Sequence, residues 1–183
     1  MKVIKKVFLA IIVLAILLAA FFAHLGLFSK VKVVEQEMGP YTLVYEQFVG
    51  DYKKTGPIFM KVYKSLLAEG ITTNIGLGIY YDDPSKVPVA KLKSDIGSIL
   101  EPEDVKKAKA LKKKNFSVQT IHKKKSLVVE FPVKSNLSYM IAPMKTYPAL
   151  MKYAKEKGYS SSMTYEMYYM KDKKILTVME LAK

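Results

Sequence analysis

The chain has 183 residues, half of them hydrophobic, with thirty basic residues, all lysine, against sixteen acids for a net charge of +14. Cysteine is absent, which excludes disulfides, thiolate metal sites and cysteine nucleophiles. Only two histidines occur, His24 and His122, so neither a histidine metal site nor a serine–histidine triad is expected. Arginine, the residue suited to bidentate phosphate and guanine contacts, is also absent, and no nucleic-acid motif occurs, so no nucleic-acid partner is expected.

Residues 1–30 read as cytoplasmic lysines followed by a membrane anchor. Val7 to Phe28 carries no formal charge and has His24 as its one ionisable side chain. Twenty-two residues make a helix of roughly 33 Å, enough to cross a hydrocarbon core of about 30 Å. A cleaved secretory signal is the competing reading. The length of the run and the lack of an Ala-x-Ala pair favour a retained anchor in contact with lipid through residues 7–28. Lys2, Lys5 and Lys6 before the run, against Lys30 and Lys32 after it, favour a single pass with the N-terminus cytoplasmic and the C-terminal domain extracytoplasmic. The remainder carries 27 − 16 = +11, read as a solvated lysine surface.

Residues 31–183 are expected to form one α+β domain. Tyr41–Phe48 is rich in β-formers, Pro57–Glu69 has helical spacing with Gly70 as its stop, Asn74–Tyr81 alternates, Asp82-Asp83-Pro84 turns, and Ser94–Leu100 closes a first unit of about 31–100. Residues 101–115 run from acids to lysines, which suits an exposed spacer helix. A strand over about Phe116–His122 follows. A second unit of about 116–183 then reads Ser126–Val133 as a strand, Tyr147–Lys157 as a helix, and Met163–Met170 and Lys174–Leu181 as strands.

The two units look like copies. Gly70-Ile-Thr-Thr-Asn-Ile-Gly-Leu-Gly-Ile-Tyr-Tyr81 aligns with Gly158-Tyr-Ser-Ser-Ser-Met-Thr-Tyr-Glu-Met-Tyr-Tyr169 at an offset of 158 − 70 = 88, and Leu43-Val-Tyr-Glu46 with Leu127-Val-Val-Glu130 at 127 − 43 = 84. Fixed-offset similarity marks repeated supersecondary units. Alternation puts Ile75, Leu77, Ile79, Met163, Tyr165 and Met167 on one face, expected to lie against the helices. Gly76, Gly78, Tyr80, Thr164, Glu166 and Tyr168 fall on the other, expected to line a cleft between the copies. Glu166 stands out as a carboxylate among aromatic and methionine side chains. It is either a glutamate on a wet sheet face or the anchor of a partly dry site for a cationic ligand, its pKa raised by desolvation.

The Gly-Ile-Tyr-Tyr-Asp-Asp-Pro run at Gly78–Pro84 and the Tyr-Glu-Met-Tyr run at Tyr165–Tyr168, at repeat spacing, resemble the GyrI-like small-molecule-binding domain, also the effector-binding domain of AraC-type regulators. The resemblance spans about Val31 to Lys183. It implies duplicated β-α-β-β modules in an antiparallel sheet, with two helices on one face and a ligand cleft between the modules. It further implies that Glu166 contacts the ligand, with Tyr80 and Tyr168 as walls and Thr164 and Gly78 nearby; no cofactor or metal is implied. No helix-turn-helix precedes the domain and tryptophan is missing, so a regulator's DNA-binding role does not carry over. Two alternatives stand beside small-molecule binding. One is a hydrolase of cyclopropane-bearing or other electrophilic compounds, with Glu166 catalytic alongside a tyrosine. The other is SOUL-like haem binding, for which His122 is the one available ligand.

Overall fold

The computed structural model describes residues 2–28, 30–107 and 116–182. Helix α1 (Lys2–His24) contains an apolar stretch, Val3–His24, of mean hydropathy 2.8 with none of it buried against the rest of the chain. The expected run to Phe28 does not stay helical. Gly26, at φ +86°, ends it, with Gly26 N–H donating to the Ala23 carbonyl and Leu27 N–H to that of Phe22. This Schellman arrangement needs a left-handed residue that only glycine adopts cheaply. Leu25 then turns into the domain, where it is 2 % exposed.

Eight antiparallel strands follow: β1 (Val33–Met38), β2 (Tyr41–Val49), β3 (Ile75–Tyr80), β4 (Lys93–Leu100), β5 (Ser117–Ile121), β6 (Lys124–Pro132), β7 (Ser161–Tyr169) and β8 (Lys174–Leu181). Helix α2 (Gly56–Ala68) lies between β2 and β3, and α3 (Ser138–Lys157) between β6 and β7. Both end on the same glycine device as α1, at Gly70 and Gly158. The sheet order is β1-β6-β8-β7-β3-β4-β2-β5. At its centre β3 pairs with β7, and Gly78 sits directly opposite Glu166.

The sheet curls until its two ends meet. Met38 at the end of β1 and Ile121 at the end of β5 share one core with Leu43, Leu77, Ile79, Ile99, Val128, Tyr165, Met167 and Val178. This corrects the face assignment made from alternation. Ile75, Leu77, Ile79, Met163, Tyr165 and Met167 pack inside the curl rather than against helices. A curled sheet buries its own concave side, so that side needs no helix to exclude water. The helices cover the opposite face, the one carrying Glu166. There Val62 and Leu66 of α2 pack on Val44 and Leu100, while Leu150 and Ala154 of α3 pack on Leu127, Val129 and Met179.

Three further expectations need adjustment. Helix α3 starts at Ser138 instead of Tyr147 and runs through Pro143 and Pro148. Each proline removes one intrahelical hydrogen bond, which is why the pattern reads as helix only from Tyr147 onward. Strand β1 lies in a stretch not read as a strand; it pairs with β6, Val34 opposite Val128. In the spacer, Pro102–Lys107 is a 3-10 helix, and 108–115 lie outside the described residues.

Candidate functional site

Tyr52 leads a short 3-10 turn ahead of α2, with the Asp51 carboxylate accepting from Lys53 N–H. Its hydroxyl donates to the Lys93 carbonyl at 2.9 Å and accepts from Asp82 N–H at 3.0 Å, tying it to the base of the β3–β4 loop. So held, the Tyr52 ring stands edge-on to Tyr80, centroids 4.8 Å apart. Tyr80 folds back along its own strand over Gly78. A Cβ on Gly78 would lie 2.9 Å from the Tyr80 hydroxyl oxygen, so this glycine is the space that Tyr80 occupies.

The folded-back ring brings the Tyr80 hydroxyl 2.9 Å from that of Tyr168. Tyr168 donates to Glu166 Oε2 at 2.6 Å. A tyrosine has one hydroxyl proton, so the chain runs Tyr80 to Tyr168 to Glu166. Tyr147, on α3, faces the Glu166 carboxyl closely enough that its hydroxyl helps to hold that carboxyl's pKa down. It is positioned by its neighbour Thr146, which meets Thr177 Oγ1 at 2.8 Å, both threonines fully buried. Thr177 is the cross-strand partner of Glu166, so one hydrogen bond pins α3 over the carboxyl. Phe59 of α2 and Tyr139 of α3 flank the Tyr168 ring at 5.1 and 6.0 Å.

Glu166 is 5 % exposed. Among the described residues it has no lysine or histidine partner; the ion pairs present, such as Lys125–Glu35 and Lys61–Glu46, lie elsewhere. Burial pushes its carboxyl pKa up, against the lowering effect of the two tyrosine hydroxyls. Tyr80, Tyr147 and Tyr168 are all pushed well above the ordinary phenol value, first by burial and then by the charge on Glu166. The three phenols therefore act as donors near neutrality. The site is closed: tyrosine rings fill the space over the carboxyl. A separate hollow of about 230 Å³, lined by Asn74, Ile75, Tyr169, Lys171 and Asp172, lies near the turn after β7.

Of the residues singled out from sequence, Glu166, Tyr80, Tyr168 and Gly78 come together. Thr164 shares the face but, among the described residues, makes no hydrogen bond to the cluster. Tyr147, Tyr52, Phe59 and Tyr139 were not singled out. The one signal for Tyr147 lay in the repeat itself: at 147 − 88 = 59 the first unit has Phe59, an aromatic on each helix. Asp82 and Asp83 serve the loop, accepting from Lys93 N–H at 2.6 Å and Ser85 N–H at 2.9 Å. His122 lies exposed between β5 and β6, outside the cluster. No group of three or more metal-ligating side chains occurs among the described residues.

No protein-family model matches the chain. Two curated relatives do: the testis-expressed protein 264 homolog of Mus musculus, 27 % identical over 158 residues, covering 82 % of this chain and 49 % of that protein, and testis-expressed protein 264 of Homo sapiens, 27 % identical over 165 residues, covering 86 % and 51 %. The chain thus spans about half the length of the curated relatives it matches. Among solved structures it is similar to EcmrR in a DNA complex (TM-score 0.59, 12 % identity, covering 98 % of this chain and 69 % of that one). The isolated EcmrR C-terminal domain gives a TM-score of 0.58 at 14 % identity, covering 84 % and 98 %. SAV2435 bound to tetraphenylphosphonium gives 0.51 at 13 % identity, covering 82 % and 94 %. The curled eight-stranded sheet with two helices over its Glu166 face is therefore a fold shared with EcmrR and with SAV2435.

Proposed function

We propose that this chain is a GyrI-like domain on a membrane tether, binding a cationic or amphipathic small molecule in a cleft between two repeats. One observation carries the reading: a buried carboxyl, unpaired with any cation among the described residues and walled by Tyr80, Tyr168, Tyr147 and Phe59. Burying a carboxylate without a counter-charge is unfavourable. A lipophilic cation entering between the rings would supply the missing charge and meet aromatic faces suited to cations. Tetraphenylphosphonium, the molecule bound to SAV2435, has that chemistry. Closed rings over Glu166 imply that Tyr80 or Tyr168 swings outward to admit it. Residues 1–30 would be the tether and 31–183 the binding domain, two copies meeting where β3 pairs with β7.

The test is thermal unfolding of the full chain in detergent with tetraphenylphosphonium and with neutral triphenylphosphine oxide. The cation is expected to stabilise by about 2.7 kcal/mol at a hundredfold excess over its Kd. The neutral compound leaves the transition unmoved, and Glu166→Gln abolishes the effect. Equal stabilisation of wild type and Glu166→Gln overturns the proposal. The 2.6 Å Tyr168–Glu166 hydrogen bond also favours a second reading, a hydrolase using that acid–hydroxyl pair. Consumption of a cyclopropane-bearing compound by wild type but not by Glu166→Gln would establish turnover in place of simple binding.

A further inference from the structure

Helix α1 does not hand over to a flexible linker. Its last carbonyl, that of His24, accepts from Lys134 Nζ at 2.7 Å. The next residue, Leu25, is buried among Phe131, Ile141, Ala142 and Ile175, with Leu27 and Tyr168 packed against the same group. Ile141 and Ala142 belong to the amino-terminal half of α3, so that half-helix is fastened to the end of the apolar span.

The outer side of this half-helix is apolar and uncovered. Leu137, Met140 and Met144 follow at spacings of three and four, one ridge of a helix, and Met140 and Met144 are 57 % and 67 % exposed. Phe28, just beyond α1, is equally bare at 66 %. Charge agrees with one kind of partner. Residues 131–155 carry Lys134, Lys145, Lys152 and Lys155 and no acid. Apolar side chains rimmed by lysines suit a helix lying in a lipid interface.

We infer that the amino-terminal half of α3 is a membrane-surface element, with Leu137, Met140, Met144 and Phe28 sunk into the headgroup region of the bilayer that α1 crosses. This rests on α1 being a span. Lys134 and Lys145 extend their stems along the apolar surface and keep their charges among the headgroups. Tyr139, which neighbours both the ridge and Tyr168, then stands where the site meets the bilayer, and a lipophilic cation reaches Glu166 from the interface.

The absence of cysteine makes single-site spin labelling clean. Labels at Met140→Cys, Met144→Cys, Leu67→Cys on exposed α2, and Leu14→Cys within α1 are introduced in the full chain, in vesicles of phosphatidylcholine and phosphatidylglycerol. Relaxation by oxygen, which concentrates in lipid, is compared with relaxation by a water-soluble nickel chelate. Oxygen dominates at positions 140, 144 and 14, and nickel dominates at 67. Nickel dominance at 140 and 144 with oxygen dominance at 14 overturns the inference and leaves the anchor intact. Nickel dominance at 14 removes the anchor and the inference with it. Spin–spin broadening between copies at 140 or 144 assigns the ridge to a second copy of the chain and likewise overturns it.

Discussion

Tyr168→Phe tests the electrostatics of the site most directly. It deletes the hydroxyl that donates to Glu166 at 2.6 Å and meets Tyr80 at 2.9 Å while keeping the ring between Phe59 and Tyr139. A hydrogen bond to a charged group contributes about 1.5 to 3 kcal/mol and a neutral one about 1. The expected loss at the Glu166 bond is therefore about 1.5 to 3 kcal/mol when Glu166 is ionised and about 1 kcal/mol when it is protonated. The dependence on pH has a definite sign. Burial raises the carboxyl pKa above its ordinary value of 4.5, and Tyr168 holds it down. Without the hydroxyl it rises further, so the folded variant keeps its proton to higher pH. The full cost appears above both folded pKa values and shrinks as pH falls through them. Wild type itself loses stability as pH rises from 4.5 through the raised folded value, because the folded state there binds more protons than the unfolded one. Denaturant unfolding of the full chain in detergent, followed by the near-ultraviolet signal of its thirteen tyrosines, reads both curves. Glu166→Gln should abolish the pH dependence of the Tyr168→Phe cost. A cost that is constant with pH, or absent, refutes the picture of an ionisable buried carboxyl held by Tyr168.

Two packing predictions concern the interior of the sheet. A Cβ on Gly97 would lie 1.9 Å from the Val44 carbonyl oxygen, so Gly97→Ala forces β2 and β4 apart. It should cost about 4 kcal/mol or more, seen as a lowered denaturation midpoint. Tyr165 is fully buried with its hydroxyl oxygen unpartnered among the described residues. Removing an unsatisfied buried hydroxyl removes a desolvation penalty, so Tyr165→Phe should gain about 1 kcal/mol, and a measured loss would show that the hydroxyl has a partner.

All the strands of the domain but β1 were legible because alternation and punctuation agree there: Lys174–Leu181 was read to the residue, and β2 and β4 were each read to within one residue. Gly70 was legible as a helix stop for a physical reason, the left-handed residue that closes the turn. The two prolines of α3 hid its first half, since pattern reading stops where the N–H is missing, yet one helix tolerates both. Alternation separated the two faces of β3 and β7 but not which of them the helices cover. Both faces are buried, one by the curl and one by α2 and α3, so apolar content does not discriminate. Glu166 was legible as an oddity of charge in an apolar strand. Tyr147 and Phe59 were not, because their role depends on how two helices settle over a strand pair of which one strand lies more than sixty residues away in the chain.

The central register makes one last prediction. Gly78 and Glu166 are separated by 166 − 78 = 88 residues, the offset that aligns the two units, and they face each other across the β3–β7 pair. If the halves are copies related by a dyad, its axis passes between these two residues. A glutamate at both would put two carboxyls on strands whose opposed Cβ atoms lie about 5 Å apart, and two such groups cannot both ionise in a dry site. One glutamate and one glycine give a single charge and leave room for a ring from the other strand. On that argument the assignment of charge to one half is arbitrary, and it should be transferable. The triple exchange Gly78→Glu, Glu166→Gly, Phe59→Tyr moves the carboxyl across the axis and gives it a helix tyrosine in the place Tyr147 holds now. Tyr168 can then fold over position 166 as Tyr80 does over Gly78. Binding of tetraphenylphosphonium, lost in Glu166→Gly alone, should return in the triple variant. If the triple variant folds, by its near-ultraviolet signal, and still fails to bind, the two halves are not interchangeable, and the site depends on features of the second unit that the first does not share.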